Sequence, residues 1–189
     1  MISTLDKNAA LVLIDLQKGV AALPLAHPVK DVLANTTKLV AAFRDTGLPI
    51  AIVNVNPAGA AWTKTRKDPN STSPRPSQED WLEIVPEIKT HADDIFITKH
   101  TWNAFYETAL DDQLKKRGVT GIVLAGISTS IGVEGTARAA SERGYNITFA
   151  LDAMSDMFLD AHEHSIKRIF PRIGETGMTE DVVKLVASI

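Results

Sequence analysis

The chain has 189 residues, 44% hydrophobic and 23% charged, with a formal net charge of −3. That length suits one domain, residues 1–189, able to bury a core without staples, and the lack of any cysteine excludes disulfides, thiolate metal sites and a cysteine nucleophile. A weakly negative chain with scattered Lys and Arg offers no electrostatic footprint for nucleic acid or an anionic membrane.

In chain order, the apolar run Ala9–Ile14 reads as a first strand, stopped at once by Asp15. It is too short for a signal segment or a membrane span, so a cytoplasmic protein is expected. Val29, Val32, Leu33, Thr36, Leu39, Val40 and Phe43 then fall on one face of a helix closed by Gly47. A second strand, Pro49–Val55, leads into "NPAGAAWTKTRKDPNSTSPRPSQED", a Pro- and Ser-rich loop whose length points to a lid or an interface arm. A third strand, Asp94–Thr98, precedes a helix over Leu110–Lys116 that stops at Gly118. The fourth strand, Gly121–Ala125, feeds a helix over Val133–Arg143 ended by Gly144. A fifth, Asn146–Leu151, is followed by a helix over Ala161–Phe170 ending before Pro171, and by a last helix over Thr179–Ser188. Strands alternating with helices predict an α/β fold, doubly wound around a mainly parallel sheet. The strands are nearly continuous apolar runs, which suits a sheet covered by helices on both faces.

Ligands of open parallel sheets bind beyond the carboxyl ends of the strands. Asp15 closes the first strand, Lys99 the third, and the turn from Gly126 to Gly132 follows the fourth. Singly, Asp15 reads equally as a cap and Lys99 as a solvated amine; together they form a candidate proton-transfer pair. In "AGISTSIGVEGTARAA" the strand-to-helix junction often holds a hydrolase nucleophile, and Gly132 there has no side chain. Ser128 and Ser130 flank it, but "GISTS" is not the G-x-S-x-G elbow, and both read as helix caps. Trp102, Phe105 and Tyr106 follow Lys99 and suit either a pocket wall or core and subunit contacts. His162 and His164, two apart, fall on different helix faces, which argues against a two-His metal site, and Glu134 with Arg138 reads as a surface pair.

The segments "ALVLIDLQ", "ITKHTWNAFYETALDDQLKKRGVTGIVLAGISTSIGVEGTARAASERGYNITFALDAMSD" and "AHEHSIKRIFPRIGETGMTEDVV" resemble the isochorismatase-like hydrolases, also called the cysteine hydrolase superfamily. The resemblance implies a catalytic Asp, Lys and Cys at Asp15, Lys99 and Gly132. It also implies a substrate-binding wall from Gln17, Trp102, Phe105, Ile127, Ser128 and Ile131. Glycine at the Cys position resembles isochorismatases and a bacterial subgroup with "GISTNIGVESTAR"-like segments. Isochorismatases hydrolyse a vinyl ether and release pyruvate by acid catalysis, without a covalent intermediate. On that pattern Asp15 is the acid, Lys99 orients it, and the backbone amides around Ile131 and Gly132 orient an anion or water. The family tends to a cis peptide in this turn, which maps to Ile127–Ser128. Metal-dependent relatives carry Asp and His after the second strand; Asn54 and Asn56 stand in "VNVNP" instead, so no metal and no cofactor is expected. A small-molecule substrate and a homodimer or homotetramer are implied. An amide hydrolase using serine or water, and a binding protein that keeps the pocket without the chemistry, remain open alternatives.

Overall fold

In the computed structural model, which describes residues 2–68 and 80–189, the first apolar run forms β1 (Ala9–Ile14), buried along its whole length. Ala10, Val12 and Ile14 enter one hydrophobic core, while Ala9, Leu11 and Leu13 enter another. This is the period of a strand whose two faces are both dry. β2 (Ile50–Val55) and β4 (Gly121–Ile127) pair with β1 on either side. β3 (Ile95–Lys99), β5 (Asn146–Ser155) and β6 (Glu175–Gly177) complete a six-stranded sheet in the order β3-β2-β1-β4-β5-β6, with every pairing parallel. The chain winds outward from β1 in one direction, then returns to β4 and winds in the other. The switch point therefore lies between β1 and β4, where crevices form in such sheets.

After the short α1 (Lys18–Ala21), α2 (Val29–Asp45) buries Val32, Leu33, Thr36, Leu39, Val40 and Phe43. It shares its core with α6 (Thr179–Val186). α3 (Leu110–Lys116) and α4 (Glu134–Glu142) cover the other face through Leu110, Leu114, Ala137 and Ala140. α5 (Leu159–His164) runs into a π turn over Ser165–Ile169 and a 3-10 turn over Phe170–Arg172. Phe170 stacks on Phe149 of β5 with ring centroids 3.8 Å apart.

The departures from the sequence expectation have local causes. The chain continues helically past Pro171, because Pro171 sits in the first turn of the 3-10 segment, where no N–H is required of it. The fifth strand runs to Ser155, beyond the predicted end at Leu151, since the polar Asp152 is satisfied: its Oδ1 accepts the Thr179 N–H at 2.7 Å and the Thr179 hydroxyl at 2.8 Å. α1, β6 and a 3-10 turn at Ala61–Lys64 are too short to leave a periodicity. At Gly126, φ is +122° and an added Cβ would lie 2.1 Å from Ile14 O, so only glycine lets β4 run this close to β1 as its register with β5 shifts.

Candidate active site

Five strands deliver residues to one cavity of about 670 Å³ at their carboxyl ends. Asp15 follows β1, Val55 ends β2, Lys99 ends β3, Ile127 ends β4, and Asp156 follows β5; all five line it. Trp62, Trp81, Trp102 and Phe158 supply apolar wall, and Pro57, Thr65 and Lys67 bring the long loop against it. The part of that loop over residues 69–79 lies outside the described residues.

Asp15 has a positive φ of 52°, an uncommon state that Asp tolerates better than most residues. It turns the chain out of the strand while the Asp15 N–H still bonds Val53 O at 2.9 Å. Lys99 Nζ lies 2.7 Å from Asp15 Oδ2, and both side chains are nearly sealed from solvent, at 2% and 7% exposure. The ammonium also donates to Thr101 O at 3.1 Å. Asp15 Oδ1 is buried with no hydrogen-bond partner among the described residues. Burial raises the Asp15 pKa to about 6, against the opposing pull of the Lys99 charge and hydrogen bond. The carboxyl thus keeps its proton to a higher pH than an ordinary carboxylate, up to about 6, with Oδ1 as the oxygen that Lys99 leaves free.

Gly132 lies in the π turn Thr129–Val133 that links β4 to α4. A Cβ there would stand 3.2 Å from Asp15 Oδ2 and 2.8 Å from Ile14 Cγ2, so the turn packs directly on the acid. The Ile127–Ser128 peptide is cis, as the resemblance implied. Neither serine acts as the expected cap. Ser128, at the N-cap position, makes no side-chain capping bond, and Ser130 donates both its N–H and its hydroxyl to Asp156 Oδ2, each at 2.8 Å. Behind the turn, Thr129 Oγ1 is 2.8 Å from His162 Nδ1. His162 is paired not with His164 but with His27, ring centroids 4.6 Å apart, and burial first, then the neighbouring His27, lowers its pKa.

Of the residues expected to bind substrate, Trp102, Ile127, Ser128 and Ile131 line the cavity. Two others do structural work instead. Gln17 is fully buried; its Nε2 donates to Val55 O and Trp81 O, and its Oε1 accepts the Val55 N–H. With its amide consumed by the main chain, Gln17 clamps the ends of β1 and β2 and the Trp81 segment rather than facing the pocket. Phe105 belongs to the core, stacked on Tyr145, because its half of the post-β3 segment turns inward while Trp102 stays 57% exposed. The Ile131 N–H, expected to orient an anion or water, already donates to Ser128 O at 3.2 Å. Glu134 and Arg138 form the expected surface pair at 2.8 Å. No group of three or more His, Asp or Glu suited to a metal occurs among the described residues, and no described helix is long and apolar enough to cross a membrane. Asp156 was missed. Its signal was present, a polar residue just past an apolar strand, but it was hidden by ending that strand too early.

This fold and strand-end site coincide with a match of the isochorismatase domain to residues 9–181. The chain belongs to the isochorismatase family. It is 42% identical to the uncharacterized isochorismatase family protein YwoC of Bacillus subtilis, over 98% of this chain and 100% of that one. A solved isochorismatase family protein from Burkholderia thailandensis superposes with a TM-score of 0.92 at 40% identity, covering 99% of this chain and 100% of the other. The protein named isochorismatase in Bacillus subtilis is 29% identical over 94% of this chain and 58% of its own length. Isochorismatase-family members are hydrolases, and their fold is the all-parallel α/β sheet described above.

Proposed function

We propose that this chain is a hydrolase of the isochorismatase type that works without a protein nucleophile, belonging to the family members with glycine at the cysteine position. Its substrate is a small vinyl ether or a related organic acid, and Asp15 is its acid. The observation that carries this reading is the pairing of a buried acid with a nucleophile position that has no side chain: Asp15 Oδ1 has no hydrogen-bond partner among the described residues, and Gly132 stands beside the same carboxyl. Amide cleavage through an acyl intermediate needs a nucleophile that glycine cannot supply. A vinyl ether needs only a proton on its terminal carbon; the oxocarbenium ion that results is captured by water, and the hemiketal collapses to a ketone and an alcohol. Lys99, 2.7 Å from Oδ2, holds the other oxygen and stabilises the carboxylate left after proton transfer. The aromatic wall of Trp62, Trp81 and Trp102 suits a planar apolar body. The likeness to the isochorismatase of Bacillus subtilis supports the same reaction class.

The test is to incubate the purified protein with isochorismate and a panel of other enolpyruvyl ethers, following pyruvate by mass spectrometry. Pyruvate release that is abolished by Asp15→Asn in a folded variant supports the reading. Release that survives Asp15→Asn at a near wild-type rate removes Asp15 as the acid, and amide cleavage in place of vinyl-ether cleavage removes the reaction class.

A further inference from the structure

Two carboxylates, not one, face the cavity. Asp15 follows β1 and Asp156 follows β5, with β4 between them in the sheet. Two strand spacings, about 9–10 Å, therefore separate the chain positions from which these acids project. Asp156 is 2% exposed and accepts from Ser130 N, Ser130 Oγ and Phe158 N, and it forms no ion pair with a described residue. Because the Ser130 hydroxyl hydrogen is directed at Asp156 Oδ2, what Ser130 offers the cavity is lone pairs. An oxygen fixed in this way accepts a hydrogen bond and cannot compete as a donor.

Resting on the acid-catalysed reading above, we propose that Ser130 and Asp156 form the water-activating half of the site. Ser130 Oγ touches the attacking water, and Asp156 positions Ser130 and receives the proton through it. Asp15 first gives its Oδ1 proton to the terminal carbon of the vinyl ether, leaving an oxocarbenium ion. The water oxygen then bonds to the cationic carbon. One water proton passes to Ser130 Oγ as the Ser130 proton passes to Asp156, which leaves a neutral hemiketal. In its collapse the C–O bond to the leaving group breaks, Asp15 takes the hemiketal hydroxyl proton, and the protonated Asp156 supplies a proton, again through Ser130, to the departing alkoxide. Both carboxyls end as they began, and the sum is one water added to the ether to give ketone and alcohol. No metal, oxidant or further reactant enters the balance.

The experiment uses the full chain and whichever enolpyruvyl ether of the panel is turned over, comparing Ser130→Ala, Ser130→Thr and Asp156→Asn with the wild type for kcat, KM and thermal midpoint. Ser130→Ala is expected to lower kcat about 10²-fold, the lower end of general-base contributions, with KM within about twofold and the midpoint lowered by only about 2–4 °C for the lost hydrogen bond to Asp156; Ser130→Thr, which keeps the hydroxyl, restores most of the rate. Asp156→Asn lowers kcat as well, and the serine variants decide the matter should that variant fold poorly. A Ser130→Ala enzyme within twofold of the wild-type kcat overturns the assignment while leaving the acid role of Asp15 intact. So does a loss that Ser130→Thr does not restore. A wild type that releases no pyruvate from any of the ethers overturns the functional reading, and this assignment with it.

Discussion

Gly132 and Asp15 are packed so closely that a single added carbon on the glycine would lie 3.2 Å from the Asp15 carboxylate oxygen. The absence of a side chain at residue 132 is therefore a property of the acid as much as of the turn. It keeps residue 132 off Oδ2, the oxygen that Lys99 holds, while Oδ1 has no hydrogen-bond partner among the described residues.

The pH dependence follows from the Asp15 pKa of about 6. A carboxyl raised in the fold binds its proton more tightly than the unfolded chain does. Its contribution to stability is present below the ordinary carboxylate value of about 4 and is lost as pH climbs through about 6. Activity has the same sign, because the acid must carry its proton: kcat/KM should be level below about pH 6 and fall tenfold per unit above it. Lys99→Met removes the positive charge that holds this pKa down, so the falling limb should move to higher pH. The variant should also lose about 3–5 kcal/mol of stability at pH values where Asp15 is ionised and left unpaired. A rate profile flat from about pH 5 to 8, or a limb unmoved by Lys99→Met, counts against the acid.

Gln17 provides a test of where the pocket ends. Gln17→Leu leaves the Val55 N–H, the Val55 carbonyl and the Trp81 carbonyl without their side-chain partner, at about 1–3 kcal/mol for each buried group left unsatisfied. Urea denaturation should show that loss while KM stays near the wild-type value. A raised KM with unchanged stability would return Gln17 to the substrate wall.

Trp102 and Phe105 should part in the same way. Phe105→Ala, in the core against Tyr145, is expected to cost about 3–5 kcal/mol. Trp102→Ala, at a half-exposed cavity wall, should leave the unfolding midpoint nearly unchanged and weaken substrate binding. Denaturant midpoints and KM for the two variants give the answer, and equal stability losses would contradict the division.

The sequence spoke most clearly where a residue's role depends on its own strand. Asp15 and Lys99 end apolar runs, and strand ends of a parallel sheet converge, so their meeting followed from position alone. It spoke poorly where the partner is distant in the chain. Nothing local in "DLQKG" tells that Gln17 will be consumed by Val55 and Trp81, or in "TWNAFY" which aromatic turns inward. Asp156 shows a different failure: Asp152 interrupts the apolar pattern of β5, and only its bonds to Thr179, made by the folded chain, reveal that the strand runs on to deliver a second carboxylate to the cavity.

Gly132→Cys tests the nucleophile position itself. The new Cβ meets Ile14 Cγ2 at 2.8 Å, so the side chain of Ile14 must shift, and an overpacking cost of about 1–3 kcal/mol is expected in the thermal midpoint. The thiol joins Asp15 and Lys99 in one coupled titration. When the first proton leaves this group, it comes from either the carboxyl or the sulfur, and the state with a neutral Asp15 and a thiolate is held by the Lys99 ammonium. The Lys99 ammonium favours that thiolate, so it should appear below the ordinary thiol value of about 8.5. With no other cysteine in the chain, alkylation by iodoacetamide reports this one group. A rate that rises only near 8.5, or a thiol inert in the folded protein, would mean that residue 132 does not address the acid, and the cysteine-free mechanism built on that contact would fall.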